Sequence, residues 1–206
     1  MGAQERGAGD IVVNFTPRKI IGEWRKGFAL DLQTLSSEFI GHDEFGHPRF
    51  DTKRSEIGEL LYQLKYKSEK GAVEEIVEAV DKFMKSWNPT VDILVPVPPS
   101  THRTVPPVLV LARAISNRLG IRLADCVTRT RDVPELKNVS DLDERLKLLE
   151  GLHTVDESVT RGKSVLLFDD LYRSGATMNA ITAELYEAGK ATDVFALTIT
   201  RTRSTQ

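Results

Sequence analysis

The chain has 206 residues, 40% of them hydrophobic and 28% charged, the composition of one ordinary globular domain with room for a small appendage. A formal net charge of -2 gives no bulk attraction toward nucleic acid or an anionic membrane, so neither is expected as a stable partner. The single cysteine, Cys126, rules out an intrachain disulfide or a cysteine zinc cluster, and no apolar stretch reaches the roughly 18 residues of a membrane helix; a cytoplasmic address fits both facts.

Residues 1–9 are polar and glycine-rich and are expected to form a disordered tail. Residues 11–15 and 28–32 read as short strands, and 41–50, GHDEFGHPRF, as a loop by its glycine and proline content. A helix is expected over 52–67, with Ile57, Leu60, Leu61 and Leu64 on one face. The strongest helical pattern runs over 69–87, where Val73, Ile76, Val77, Val80, Phe83, Met84 and Trp87 recur every three or four residues. Asn88-Pro89 stops it.

The pattern then changes to alternating strands and helices. VDILVPV at 91–97 reads as a buried strand, and Pro106-Pro107 opens a helix that Gly120 ends. Residues 121–127 are expected to form a second strand, with Cys126 a small core residue. Residues 129–161 are charged and weakly periodic, with a helix around 141–150. A strand at 165–168, a helix over 177–188 and a strand at 193–200 complete the chain. Strand, helix, strand in this order predicts an α/β fold with a parallel sheet. Residues 10–88 are expected to form a smaller α+β hood, and 89–206 the core.

The stretch VLLFDDLYRSGAT, residues 165–177, carries the most chemistry. Asp169 and Asp170 fall at the expected carboxyl end of a strand, where open α/β sheets bind ligands. Burying two adjacent carboxylates without partners costs several kcal/mol, so hydroxyl donors or a divalent cation are expected opposite them. Gly175 allows a tight turn, and the amides of the turn and first helical residues converge where the helix dipole favours an anion. Ser174 and Thr177 add hydroxyl donors. A ribose 5-phosphate has the matching shape. Taken alone, the aspartates and Gly175 also read as helix-start and turn residues. Neither G-x-G-x-x-G nor G-x-x-x-x-G-K-[ST] is present, which makes a dinucleotide site a poor rival and excludes a P-loop.

This stretch resembles the phosphoribosyl-pyrophosphate (PRPP) motif of type I phosphoribosyltransferases, and DILVPVPPSTHR at 92–103, LARAISNRLG at 111–120, TRTRD at 128–132 and FDTKRSEIGELLYQLKY at 50–66 resemble the ComF subgroup in order and spacing. The resemblance implies a parallel-sheet, Rossmann-like phosphoribosyltransferase core under the hood, and transfer of ribose 5-phosphate from PRPP to a nitrogen acceptor with release of pyrophosphate. It further implies Mg2+ as cofactor, with Asp169 and Asp170 on the ribose hydroxyls and on the metal, directly or through water. Arg173, Ser174, Gly175, Ala176 and Thr177 would hold the 5-phosphate. Ser100, Thr101, His102 and Arg103 would form the pyrophosphate loop. The segment 129–137 matches the family's flexible lid, with Arg129, Arg131 and Lys137 neutralising the leaving group; Asp169, Asp170, Arg131 and Lys137 are the expected catalytic set. The resemblance is compatible with a homodimer.

The sequence departs from that family in three places. RSGAT stands where TTGAT is common, and Arg173, which cannot act as a base at neutral pH, argues against hypoxanthine-type salvage. The zinc-binding cysteine cluster common in ComF-like proteins is missing, and so is a glutamine expected near 134–138. Two other readings stand beside the transferase: a non-catalytic regulator that binds PRPP or a nucleotide, and a ComF-type accessory protein of DNA uptake. The acceptor is not named by any residue of 10–88. His42, Asp43 and His47 could hold a metal but read more simply as surface residues, and Trp24 and Trp87 as core or as the wall of a base pocket.

Overall fold

The computed structural model describes residues 13–67, 71–99, 106–131 and 148–203. At its centre is a sheet that draws on both sides of residue 88, the expected domain boundary. Strands β1 (Arg18–Lys19) and β2 (Lys26–Leu32) come from before it; β5 (Ile93–Pro96), β6 (Arg122–Leu123), β9 (Ser164–Tyr172) and β10 (Asp193–Arg201) come from after it. Their order is β1-β2-β10-β9-β5-β6, and every pairing except β1 with β2 is parallel. The α/β class and the mainly parallel sheet are therefore as the alternating pattern predicts.

Both faces of the sheet are covered, and the period-two alternation of the strands decides which side chain goes where. Leu94, Leu166, Phe168 and Leu197 point to one face, where they pack with Ile57 and Leu61 of α1 (Glu56–Tyr66), Ile76, Val80 and Phe83 of α2 (Gly71–Trp87), and Leu111 and Ile115 of α3 (Pro107–Leu119). Ile93, Val95, Val165, Leu167 and Ala196 point to the other, against Met178, Ile181 and Leu185 of a C-terminal helix at Ala176–Glu187. The helix stops behave as read: Asn88 takes a left-handed φ of 48° before Pro89, and Gly120 closes α3 at φ 67°.

Several expectations are corrected. Residues 13–15 form no strand. The region read as a loop is the tip of a hairpin, β3 (Thr34–His42) against β4 (Pro48–Arg54). Its strands escape pattern reading because none of their residues is buried, so neither face shows an apolar alternation. The helix expected from 52 starts only at Glu56, where the Ser55 hydroxyl caps it by accepting from the Gly58 amide. The strand expected at 121–127 breaks in two. β6 joins the central sheet, while β7 (Val127–Arg129) pairs antiparallel with β8 (His153–Val155). A short helix, α4 (Glu157–Thr160), follows, and the C-terminal helix Ala176–Glu187 is α5. The tail 1–9 and most of the helix expected at 141–150 lie outside the described residues.

Candidate active site

β9 does not stop at the apolar run. It continues through Asp169, Asp170 and Leu171 to Tyr172, because the backbone keeps pairing with Thr198, Thr200 and Arg201 of β10. The carboxylates therefore stand in a strand and not beyond it, which corrects the expected end at Phe168. Alternation then puts them on opposite sides: Asp169 follows Leu167 toward the α5 face, and Asp170 follows Phe168 toward α1.

Among the described residues Asp170 has a counter-charge, whereas Asp169 has only its neighbour's amide. Lys65 of α1 reaches Asp170 with Nζ 2.8 Å from Oδ1, in a pair whose side chains are only 14% and 16% exposed. Asp169 Oδ1 accepts from the Asp170 amide at 2.7 Å. Burial, and next the charge of Asp170, push the Asp169 carboxyl up to about 8, against the weaker opposing effects of the Asp170 amide and of Lys65. Sequence reasoning missed Lys65. The available signal was its position one turn beyond Leu61 and two beyond Ile57, a charged residue in line with an apolar stripe.

After Tyr172 the chain turns into α5. Gly175 sits at the helix N-cap with φ 78°, in the left-handed region, and no side chain caps the helix there. The first amides of α5 lie outside its own hydrogen-bond ladder and sit at the positive end of the helix dipole. Arg173 and Ser174 are exposed, Gly175 is buried, and Ala176 and Thr177 are half-buried. The turn is held from outside by an unforeseen segment, residues 20–25. The Tyr172 hydroxyl donates to Ile21 O at 3.0 Å, the Glu23 amide donates to Asn179 Oδ1 at 2.8 Å, and Trp24 packs edge-on to Tyr172 at 6.2 Å. Gly22 fits because a side chain there would strike Asn179 and Trp24. Trp24 is thus core, and the half-buried Trp87 packs against Phe28, Phe83 and Phe195.

Of the other expected site residues, Ser100, Thr101, His102, Arg103 and Lys137 lie outside the described residues. The start of their loop is beside the acid pair, since the Val97 amide donates to Phe168 O at 2.8 Å. Arg129 is close to it: its Nη1 donates to Pro99 O at 3.3 Å, while its buried Nε has no partner among the described residues. Across β7 and β8, Arg129 faces His153, whose imidazole is held down to about 4 by burial and by that guanidinium. Arg131 is engaged elsewhere, donating to the carbonyls of Leu148, Glu150 and Gly151.

The described residues do not by themselves make a metal site. Lys65 takes Asp170, and no group of three or more His, Cys, Asp or Glu side chains suited to a metal ion is found among them. Asp43 instead builds the hairpin tip, accepting from the Phe45 and His47 amides at 2.9 and 2.8 Å. Cys126 is buried, and its thiol is pushed up to about 11, as befits an unreactive core residue. No described helix is long and apolar enough to cross a membrane.

No protein-family model matches the chain, and no curated protein sequence matches it. Among solved structures, adenine phosphoribosyltransferase from Leishmania donovani is similar at 15% identity and a TM-score of 0.45, over 85% of this chain and 71% of that one. The Saccharomyces cerevisiae adenine phosphoribosyltransferase, complexed with an imino-altritol bisphosphate and adenine, gives 12% and 0.44, over 80% and 84%. The B. subtilis glutamine PRPP amidotransferase gives 19% and 0.43 over 72% of this chain, which spans only 28% of that enzyme.

Proposed function

We propose that the protein binds PRPP and transfers its ribose 5-phosphate to a nitrogen acceptor. The observation that carries this reading is the continuity of two carboxylates with an uncapped helix start. Asp169 and Asp170 stand near the end of a parallel strand, and three residues after its last residue, Tyr172, Gly175 turns the chain into α5 with its first amides open. One end of that arrangement suits a phosphate, and the other suits the hydroxyls of a sugar attached to it. Thr177 and Ser174 would add hydroxyl donors to the phosphate, and Arg173 a charge at the exposed rim.

In the reaction the acceptor nitrogen's lone pair forms the bond to ribose C1, while the C1–O bond to the diphosphate breaks and its electrons leave with pyrophosphate. The acceptor nitrogen then gives up its proton. Positive charge grows on the ribose ring, and an ionised Asp170 near its hydroxyls favours that charge. In this reading magnesium would be carried by the diphosphate, because Lys65 already pairs with Asp170. Residues 100–103, Arg129 and Lys137 are assigned to the leaving group, and the lid excludes water that would otherwise hydrolyse PRPP.

A second reading, a regulator that binds the same ligand without turnover, is favoured by Arg131. Its guanidinium is held by backbone carbonyls and not left to neutralise a leaving group. Calorimetric titration of PRPP with magnesium, paired with a pyrophosphate-release assay over nucleobases and small amines, separates the two. Binding with release makes the protein a transferase; binding without release for every acceptor supports the regulator. Absence of binding overturns both. Asp170→Asn is expected to abolish transfer while the far-ultraviolet circular dichroism is unchanged, and full turnover by that variant would refute the role given to Asp170. A DNA-uptake role would need contact with single-stranded DNA at low salt, which the near-neutral charge does not favour.

A further inference from the structure

Asp170 is fixed at its backbone from both sides. Its amide donates to Asp169 Oδ1, and its carbonyl accepts from the Thr200 hydroxyl at 3.4 Å. What remains free is the carboxylate torsion, and among the described residues the only side chain paired with that carboxylate is Lys65. The lysine is itself placed tightly. α1 buries Ile57 and Leu61 completely, so the next residue on that line, Lys65, is carried inward at the last turn, where a cation also suits the helix dipole. A pair this far out of water is weakly screened, and each partner strongly restrains the other.

We propose that Lys65 is a positioning residue for the sugar site: it holds Asp170 turned toward the ribose hydroxyls and balances the charge of that carboxylate before an anionic ligand arrives. This rests on the PRPP reading of the turn. Pure stabilisation explains the pair less well, because a matched apolar pair would serve the fold at least equally. The location also argues for function, since Asp170 lies near the carboxyl end of a parallel strand, five residues before Gly175 at the start of α5.

The test is calorimetric titration of ribose 5-phosphate, which cannot turn over, into the full chain and four variants: Lys65→Met, Lys65→Arg, Asp170→Asn, and the double variant carrying Lys65→Met with Asp170→Asn. Lys65→Met is expected to weaken binding roughly tenfold, in line with the loss of one well-placed charge-assisted contact. Lys65→Arg, which keeps the charge, is expected to restore most of the affinity. Because Lys65 acts through Asp170, the double variant is expected to bind no more weakly than Asp170→Asn alone. A merely structural lysine would lower the melting temperature but would not produce that coupling. Should Lys65→Met fail to fold, Lys65→Gln carries the same expectations. If the wild type binds and Lys65→Met binds equally well, or if the two losses simply add, the inference is overturned and the PRPP reading survives. If the wild type does not bind ribose 5-phosphate, the reading itself falls and takes the inference with it.

Discussion

The ring of Tyr172 occupies the space that a side chain at Gly175 would need: a Cβ built there would stand 2.7 Å from the ring's Cε2 and 2.9 Å from its hydroxyl. Gly175 also holds a φ of 78°. Gly175→Ala therefore meets both a backbone penalty and a clash. It is expected to cost about 1–3 kcal/mol in urea unfolding and to weaken phosphate-containing ligands, because the turn must move. Unchanged stability and unchanged binding would show that the turn is not held as described.

The same tyrosine ties residues 20–25 to the turn through its hydroxyl. Tyr172→Phe keeps the packing against Trp24 and removes only that bond. A loss of about 1 kcal/mol is expected, with faster hydrogen exchange around Ile21 and Gly22. Exchange altered elsewhere but not there would place the hydroxyl's influence in another part of the molecule.

His153 supplies a pH dependence. In the fold it is buried beside Arg129 and held down to about 4, whereas the unfolded chain titrates near 6.5. Below about 6.5 the unfolded state takes up a proton that the folded state refuses, so stability is full at neutral pH and falls as pH drops toward 4. His153→Phe removes this contribution. Its urea midpoint is expected to fall less steeply between pH 6.5 and 4.5 than that of the wild type, the difference in slope being at most about 1.4 kcal/mol per pH step for one proton. Parallel profiles would refute the assignment.

Ser55 performs two tasks at the start of α1. Its hydroxyl accepts from the Gly58 amide at 3.0 Å and donates to Leu32 O at 2.5 Å, joining the helix to the end of β2. Ser55→Ala is expected to cost about 1–2 kcal/mol, toward the upper part of the range for a lost cap, because two buried partners are left unmet. Chemical denaturation measures it directly; a cost within error of zero would mean that water replaces both bonds.

The elements that were legible in the sequence are those whose burial is carried by side-chain rhythm. α2 announces itself through apolar residues three and four apart, buried except for the half-buried Val73 and Trp87 near its ends. α3 is bracketed by Pro107 and Gly120. The missed hairpin has Phe39 opposite Phe50, yet both remain over half exposed, so no buried face imposes a rhythm on it. The end of β9 was misread for a different reason: Asp169 and Asp170 break the apolar run, but the backbone ladder to β10 does not depend on side chains. At the site, the acids, Gly175 and Thr177 are visible as a contiguous motif. Lys65 and residues 20–25 reach it only through tertiary contacts, the latter through Tyr172 of the motif and Asn179, and a local pattern cannot show which distant residue will arrive.

The pairing of β2 with β10 sets a timetable for the nascent chain. Ala29 and Leu30 leave the ribosome early but gain their parallel partner only when the last strand of the sheet has been made. Until then β2 and β9 each present an open ladder to their surroundings. A translation product that ends before Asp193 would keep both edges bare, with apolar strands behind them, and its natural fate is to pair with other copies of itself.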